Sequence, residues 1–284
     1  MKNKTNSLII EAQPCNYNQL AYFLTQTLRF HRHLDWFETL EWLGSQPFLL
    51  QMDSDRIQAF LCATKEMNDT AWVRSFAVRK CLSSEKSWSF LFNSALLKLK
   101  ELNVTNLSAL AMHPWFKELL INSNFQNLQN IVVLEWQGVL PQQEKSNPEV
   151  EIHLMTADDL SGVEAIDHLA FPSLWRNSQR ELRKAFQQKG ISTVATKDNQ
   201  IIGYQISTGM SIYAHLARLA VAPRYQRQGV AYTIIFDLLT RIISQGYWRL
   251  TVNTQSDNTP SLKLYDQFNF KRTGEEIPVY QLKI

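Results

Sequence analysis

The pattern of hydrophobic and polar positions repeats along the chain at a distance of 143 to 145 residues. Residues 48–64 and 192–208 each contain an apolar stretch, a polar turn and a second apolar stretch, which predicts a β-hairpin in each half. The other matching segments are Ala77-Val78 with Ala220-Val221, and residues 119–125 (LLINSNF) with residues 264–270 (LYDQFNF). The chain is therefore predicted to contain two copies of one fold.

A long helix is predicted in the second half. Its apolar residues recur at helical spacing, at Ala231, Ile234, Ile235, Leu238 and Ile242. Gly246 and its counterpart Asn103 are predicted helix ends, since both residue types tolerate the left-handed conformation. Each half then predicts the order strand, helix, hairpin, strand, long helix, strand, short helix and strand. This order indicates an α/β fold (α+β) with a mixed, partly parallel sheet in each of two domains.

A polar segment bounded by prolines, residues 141–148, is typical of a linker. We place the boundary there, which gives domains 1–145 and 146–284. The length of 284 residues allows two domains that each bury a core.

Composition narrows the class of protein. A formal net charge of +3 is too small to specify nucleic acid or an anionic membrane as a partner. No apolar run reaches the ~18 residues of a membrane helix, and the first residues are not typical of a signal peptide. We therefore expect a cytoplasmic protein, monomeric or homodimeric, that binds neither nucleic acid nor membrane. The three cysteines, Cys15, Cys62 and Cys81, are predicted to be reduced and buried.

Residues 219–231 (LAVAPRYQRQGVA) lead from an apolar strand through a turn at Pro223 into the long helix. Free backbone N–H groups at a helix N-terminus bind anions, and the helix dipole adds positive potential. Gly229 and Ala231 permit close approach to the main chain, and Arg224 and Arg227 add positive charge. The segment is predicted to bind phosphate.

A second polar segment begins at Asn258 and contains a short predicted helix. Thr259 is the expected N-cap, with Pro260 in the first turn. Asn258, Ser261 and Tyr265 then project toward one side of this helix.

Together the two segments resemble the acyl-CoA-binding region of the GNAT acetyltransferase superfamily. The signature stands as Gln226-x-x-Gly229-x-Ala231 after Ala220-Val221-x-Pro223, and the second segment runs from Asn258 to Phe270. The resemblance covers about residues 150–284 well and, through the repeat, the first half weakly. It implies a tandem GNAT fold with acetyl-CoA as cosubstrate. The residues implied to bind it are Leu219, Ala220, Val221, Gln226, Arg227, Gln228, Gly229, Val230, Ala231, Asn258 and Ser261.

The resemblance also implies roles for two side chains. Asn258 is expected to hydrogen-bond the pantetheine arm, and Tyr265 to donate a proton to the departing CoA thiolate. The ribosomal-protein branch, which this half resembles most, has a catalytic glutamate where Thr251 stands. Threonine cannot act as a general base, so the base stays open.

His215 is the candidate base, because a histidine near its ordinary pKa of ~6.5 can accept an ammonium proton. Strand alternation predicts its side chain on the same side as Leu219 and Val221. A water chain without a dedicated base is the alternative. Asp167 and His168 are candidates for the acceptor site.

The first half lacks these chemical features. Residues 79–86, opposite the phosphate turn, contain no glycine, and Leu120 stands opposite Tyr265. We interpret this half as a degenerate GNAT domain that shapes the acceptor pocket or docks against the second domain. The alternative is that it serves only as a folding scaffold. His31 and His33 have no third ligand at metal spacing, so no metal is expected.

The sequence thus predicts an N-acetyltransferase that acts on a primary amine of a small molecule or peptide, with Tyr265 and His215 as catalytic residues. A non-catalytic acyl-CoA sensor is the alternative, which the missing glutamate favours and Tyr265 disfavours. A peptide- or thiol-modifying ligase on tandem GNAT halves is a third hypothesis.

Overall fold

The computed structural model describes residues 7–65, 69–141, 145–188, 190–209 and 214–284. The strands are β1 (Ser7–Glu11), β2 (Thr27–Arg32), β3 (Phe48–Asp53), β4 (Arg56–Lys65), β5 (Thr70–Arg79), β6 (Asn106–Leu110), β7 (Gln126–Trp136), β8 (Glu151–Leu154), β9 (Ser192–Lys197), β10 (Gln200–Gly209), β11 (Ala214–Val221), β12 (Leu250–Gln255) and β13 (Lys271–Lys283). The α-helices are α1 (Tyr17–Leu24), α2 (Ser84–Glu101), α3 (Pro114–Asn122), α4 (Leu160–Ala170), α5 (Gln179–Phe186), α6 (Val230–Ser244) and α7 (Thr259–Gln267). Within these ranges, no helix has the length and apolar character needed to cross a bilayer.

The chain folds into two compact units. The first contains the described residues up to Gln129 together with Ile277–Ile284, and the second contains Asn130–Glu276. Most of β7, the last strand of the first sequence repeat, thus belongs to the second unit, and the end of β13 belongs to the first. The division into domains 1–145 and 146–284 stays a prediction.

The first unit contains a mixed sheet in the order β1-β3-β4-β5-β6-β13, with β2 as an additional neighbour of β5. Only β5 and β6 run parallel to each other. Helices α2 and α3 cover this sheet with apolar side chains, and the largest buried ones are Trp88 and Phe116. Burying such a side chain contributes about 1.5–3 kcal/mol, so these residues are a main source of the unit's stability.

The second unit repeats this plan, with the strand order β13-β7-β12-β11-β10-β9-β8 and a parallel pairing of β11 with β12. Helix α4 packs on one face of β10, where the Tyr204 hydroxyl contacts Asp167. Helix α6 packs on the other face, where Ile234 lies against Gly203. The helices therefore enclose the sheet from both sides.

The two hairpins, the mixed sheet and the long helix confirm the predicted fold class. Gly246 (φ +81°) and Asn103 (φ +58°) end α6 and α2 in the left-handed conformation, as predicted. The sequence pattern did not predict β2 or α5. Of the three cysteines, only Cys62 is buried, so the prediction is wrong for Cys15 and Cys81.

Candidate active site

Strands β11 and β12 diverge in the middle of the second unit. They pair in parallel only from Ala214 opposite Leu250 to Leu216 opposite Val252. Beyond that point residues 218–221 pair with β10 on one edge, while the other edge has no strand partner among the described residues. This open edge presents backbone hydrogen-bonding groups, which require a partner when they are shielded from water.

The turn from β11 into α6 follows directly. Gln226 closes it, since its Nε2 donates to the carbonyl oxygen of Val221 over 3.0 Å. Arg227 (φ +62°) and Gly229 (φ +82°) both adopt the left-handed conformation, which turns the chain into the helix. Gly229 suits the N-cap because it takes this conformation without a Cβ clash.

The N-terminus of α6 carries unused donors. No side chain caps it, and among the described residues the N–H groups of Gln228, Gly229, Val230 and Ala231 have no acceptor. Four such groups at the positive end of a helix dipole form an anion site. Asn147 supports the turn from outside, because its Nδ2 donates to the Gln228 carbonyl over 2.8 Å.

Helix α7 flanks the open edge. Its N-cap is Asn258, whose Oδ1 accepts from the Ser261 N–H over 3.3 Å. The expectation that Thr259 caps the helix is therefore wrong: Thr259 is its first helical residue. Because the cap uses only Oδ1, the Asn258 amide nitrogen keeps donor capacity, apart from a 3.4 Å contact with Gln255.

Tyr265 lies one turn beyond Ser261 on α7 and is 4% exposed. Burial raises the pKa of its phenol above the ordinary value, so the hydroxyl keeps its proton at neutral pH. Its ring packs against Phe270 at 5.3 Å, and its hydroxyl makes no hydrogen bond to another described residue. A protonated, uncommitted hydroxyl is a competent proton donor.

The structure brings several predicted site residues together. Tyr265 and Leu219 share one apolar cluster with Leu216. Leu219 and Ala231 also pack against a second cluster formed by Val221, Val230 and Ile234. The open edge, the start of α6 and the inner side of α7 are therefore neighbours.

His215 lies on the face opposite to the one predicted. A β-bulge at Ala217 shifts the register, so Arg218 pairs with Ile206 while Leu216 pairs with Ser207. His215 pairs with Thr208, whereas Leu219 pairs with Gln205, so their side chains point to opposite faces of the sheet. The expectation that His215 shares a side with Leu219 and Val221 is wrong, because one extra residue reverses the alternation.

His215 is joined to Thr251 on the neighbouring strand. Its Nδ1 lies 2.9 Å from the Thr251 Oγ1. Burial lowers the pKa of the imidazole below its ordinary 6.5, so the ring is neutral at pH 7. A neutral imidazole can accept a proton.

A buried polar network lies on the same face as His215, and sequence reasoning missed its central residue, Arg218. The Arg218 guanidinium donates to the fully buried Asp167 carboxylate over 2.7 Å and to the Trp175 carbonyl over 2.5 Å. Asp167 also accepts from the Tyr204 hydroxyl and from the Asn177 N–H, over 2.5 and 2.8 Å. The signal in the sequence was an arginine in a mostly apolar strand.

This network corrects the expectation for Asp167. Its side chain is fully buried and saturated with donors, so it cannot line a surface that meets an acceptor. His168 is half-buried, and its Nε2 lies 3.1 Å from the Asn177 carbonyl. Both residues hold the loop of residues 171–178, and the Arg218 guanidinium also stacks on Phe171 at 3.5 Å.

A known protein family matches the second half of the chain. Residues 157–282 match the family model described as an acetyltransferase (GNAT) domain. Over 77 residues the chain is 31% identical to the ribosomal protein bS18-alanine N-acetyltransferase of Haemophilus ducreyi. That match covers 27% of this chain and 53% of the relative, so the chain spans about half the length of this curated relative.

Solved structures with the same fold extend over both halves. A conserved protein of Enterococcus faecalis V583 superimposes with a TM-score of 0.75 at 10% identity, over 99% of this chain and 73% of that one. A tandem GNAT protein from the clavulanic acid biosynthesis pathway superimposes with a TM-score of 0.67 at 10% identity, over 98% of each chain. The fold is therefore two GNAT-like domains in tandem.

Proposed function

Because residues 157–282 match the model of the GNAT acetyltransferase domain, we propose that the second unit binds acetyl-CoA and transfers its acetyl group to a primary amine of a small molecule or peptide. The observation that carries this proposal is the open edge of residues 218–221 beside the uncapped N-terminus of α6. The N-terminus of α6 offers N–H donors for a pyrophosphate, and the open strand edge offers backbone groups for an arm that contains amides.

The binding residues divide into three groups. The N–H groups of Gln228, Gly229, Val230 and Ala231 hold the pyrophosphate, with Arg227 adding charge. The edge at Leu219, Ala220 and Val221 pairs with the pantetheine amides, as one strand pairs with another. Asn258 and Ser261 hydrogen-bond the arm from the side of α7.

The reaction follows from the same positions. The neutral amine attacks the thioester carbonyl, and a backbone N–H near Leu219 stabilises the oxyanion that forms. The C–S bond then breaks, Tyr265 gives its proton to the leaving thiolate, and the attacking nitrogen releases its extra proton to solvent. The products are an N-acetyl amide and CoA, and solvent returns the proton to Tyr265.

We assign the removal of the ammonium proton to His215. It lies on the face of the sheet that carries Arg218 and the loop 171–178, which is where the acceptor enters in this proposal. Thr251 orients the ring through Nδ1 and leaves Nε2 to accept the proton, directly or through water.

The pH dependence of the reaction tests this assignment. Because burial lowers the pKa of His215, kcat/KM is expected to stay high as the pH falls through 6.5 and to drop only below the lowered pKa, where the ring is protonated. His215→Asn should remove this acidic limb and lower the rate by ~10²- to 10⁴-fold. The matched control is His153→Asn on the exposed strand β8. An unchanged profile in His215→Asn would assign the proton to a water chain.

Arg218 is expected to act on the acceptor through the loop 171–178. Lysine at this position keeps the charge but lacks the planar guanidinium that donates hydrogen bonds to Asp167 and to the Trp175 carbonyl at the same time. Arg218→Lys should therefore lower kcat/KM for the acceptor by about 10- to 100-fold, with the KM for acetyl-CoA unchanged. Arg241→Lys, which affects an ion pair with Asp237 along α6, is the control. Equal losses for both substrates would indicate general destabilisation instead.

A screen tests the proposed function itself. Acetyl-CoA is incubated with the protein and a panel of small amines, peptides and antibiotics, and the release of CoA thiol is followed. We expect at least one amine to accelerate thiol release. Binding of acetyl-CoA without release in any mixture would favour the sensor alternative.

A further inference from the structure

Strand β5 of the first unit has strand neighbours on both edges. Strand β4 covers one edge. On the other edge, β6 pairs in parallel with residues 70–72 only. Further along the same edge, β2 pairs antiparallel with residues 75–79, from Arg32 opposite Ser75 to Thr27 opposite Arg79. The position occupied by β2 lies between two strands that diverge.

The sequence repeat identifies this position in the second unit. At an offset of 143 residues, the parallel pair Ala71–Leu107 corresponds to Ala214–Leu250. The register shift that leaves Arg74 unpaired with β4 corresponds to the bulge at Ala217. Phe76 and Val78 are therefore the counterparts of Leu219 and Val221. The backbone edge that is open in the second unit is paired with β2 in the first.

The side chains of β2 fill the space beside this edge. His31, opposite Phe76, is fully buried and stacks on Phe116 with ring centres 3.7 Å apart. Burial lowers the pKa of His31 to about 3, so it is a neutral ring in an apolar site. By the repeat of 145 residues, Phe116 stands where the second unit has Ser261. The rings of His31 and Phe116 therefore fill the space in the first unit, whereas the second unit has the small polar side chain of Ser261 at the position of Phe116.

The N-terminus of α2 is also occupied. Ser83 caps it, because its Oγ accepts from the Lys86 N–H over 3.2 Å. Arg29 of β2 donates to the Ser84 hydroxyl over 2.7 Å and lies 3.7 Å from the Glu85 carboxylate. The corresponding N-cap in the second unit is Gly229, which has no side chain that could accept a hydrogen bond from the helix.

We propose that β2 is a built-in occupant of the acyl-CoA cleft of the first unit. The chain's own strand takes the backbone edge, the aromatic stack takes the volume, and the Ser83 cap and Glu85 carboxylate exclude a pyrophosphate. One chain therefore binds one acyl-CoA, in the second unit. The location of that one site rests on the proposed function, whereas the closure of the first cleft does not.

Calorimetric titration of the full chain with acetyl-CoA measures the number of sites. We expect one site in the wild type and none in Gly229→Glu, which disables the second unit. Ser83→Gly gives the first unit the cap residue of the second and should leave the count at one, because β2 still fills the cleft. A count of two would overturn the proposal, whereas a single site that survives in Gly229→Glu would place the phosphate site away from the start of α6.

Hydrogen exchange tests the closure without depending on ligand binding. Fragments that cover residues 27–32 should exchange slowly in the free protein and keep the same rate with saturating acetyl-CoA. In fragments that cover residues 218–221, the N–H groups on the open edge should exchange fast when free and slow down with acetyl-CoA. Fast exchange at residues 27–32 refutes the closure, whereas slow exchange there with no response at residues 218–221 refutes the proposed function only.

Discussion

Replacing Tyr265 with Phe is expected to lower turnover by ~10²- to 10⁴-fold while acetyl-CoA affinity stays within about twofold. The ring, its contact with Phe270 and its place on α7 all remain, and only the proton donor is lost. The measurement is kcat at saturating acetyl-CoA with an amine from the screen, together with the dissociation constant from calorimetry.

The control for this variant is Tyr280→Phe, which removes a hydroxyl from a buried tyrosine of the first unit. It should leave turnover unchanged. If Tyr265 serves only in the core, Tyr265→Phe leaves turnover intact and changes stability little, because its hydroxyl has no hydrogen-bond partner among the described residues. Full activity of a folded Tyr265→Phe protein would make solvent the proton source.

Gly229→Glu is expected to abolish acetyl-CoA binding and, with it, all transfer. The new carboxylate lies among the free N–H groups at the start of α6, where it repels a pyrophosphate and takes its donors. A side chain at this left-handed position also costs roughly 1–2 kcal/mol of stability. Calorimetric titration and a thermal unfolding scan separate the loss of binding from the loss of fold.

Gly246→Glu is the matched control, since Gly246 has φ +81° against +82° for Gly229 and lies at the other end of the same helix. A Cβ at Gly246 meets no atom within 4 Å. The control should show similar backbone strain and unchanged affinity for acetyl-CoA. Equal affinities in the two variants would place the phosphate site elsewhere.

The parts of the fold that the sequence predicted depend on local chemistry. The left-handed ends at Asn103 and Gly246 are set by residue types that tolerate positive φ. Asn269 (φ +62°) adopts the same conformation in the turn after α7, for the same reason. Such features need no knowledge of distant partners.

The orientation of His215 could not be predicted in the same way. The bulge at Ala217 contains no glycine, and it exists only because β11 has one more residue than β10 between two pairs. That count is a property of strand pairing and not of β11 alone. One unpaired residue is sufficient to move His215 to the other face.

Strand β2 was equally hidden. Residues 27–32 (TLRFHR) contain only two apolar residues, Leu28 and Phe30, which is too short an alternation to predict a strand. At the same place in the second repeat, residues 171–176 form a loop with a short 3₁₀ turn (Ser173–Trp175). The difference comes from what fills the neighbouring cleft, Phe116 in one unit and Ser261 in the other, which is a tertiary contact. Arg218 was missed for the same reason, because its partner Asp167 is 51 residues away in the chain.

Transfer of an isotopically labelled acetyl group tests the central claim most directly. The protein is incubated with acetyl-CoA labelled in the acetyl group and the amine that performs best in the screen, and the product is identified by mass spectrometry. We expect a labelled N-acetyl amine, formed in a one-to-one ratio with CoA by the wild type and absent with Gly229→Glu. A wild type that binds acetyl-CoA in the second unit but transfers the label to no amine, or releases it only as acetate, would contradict it.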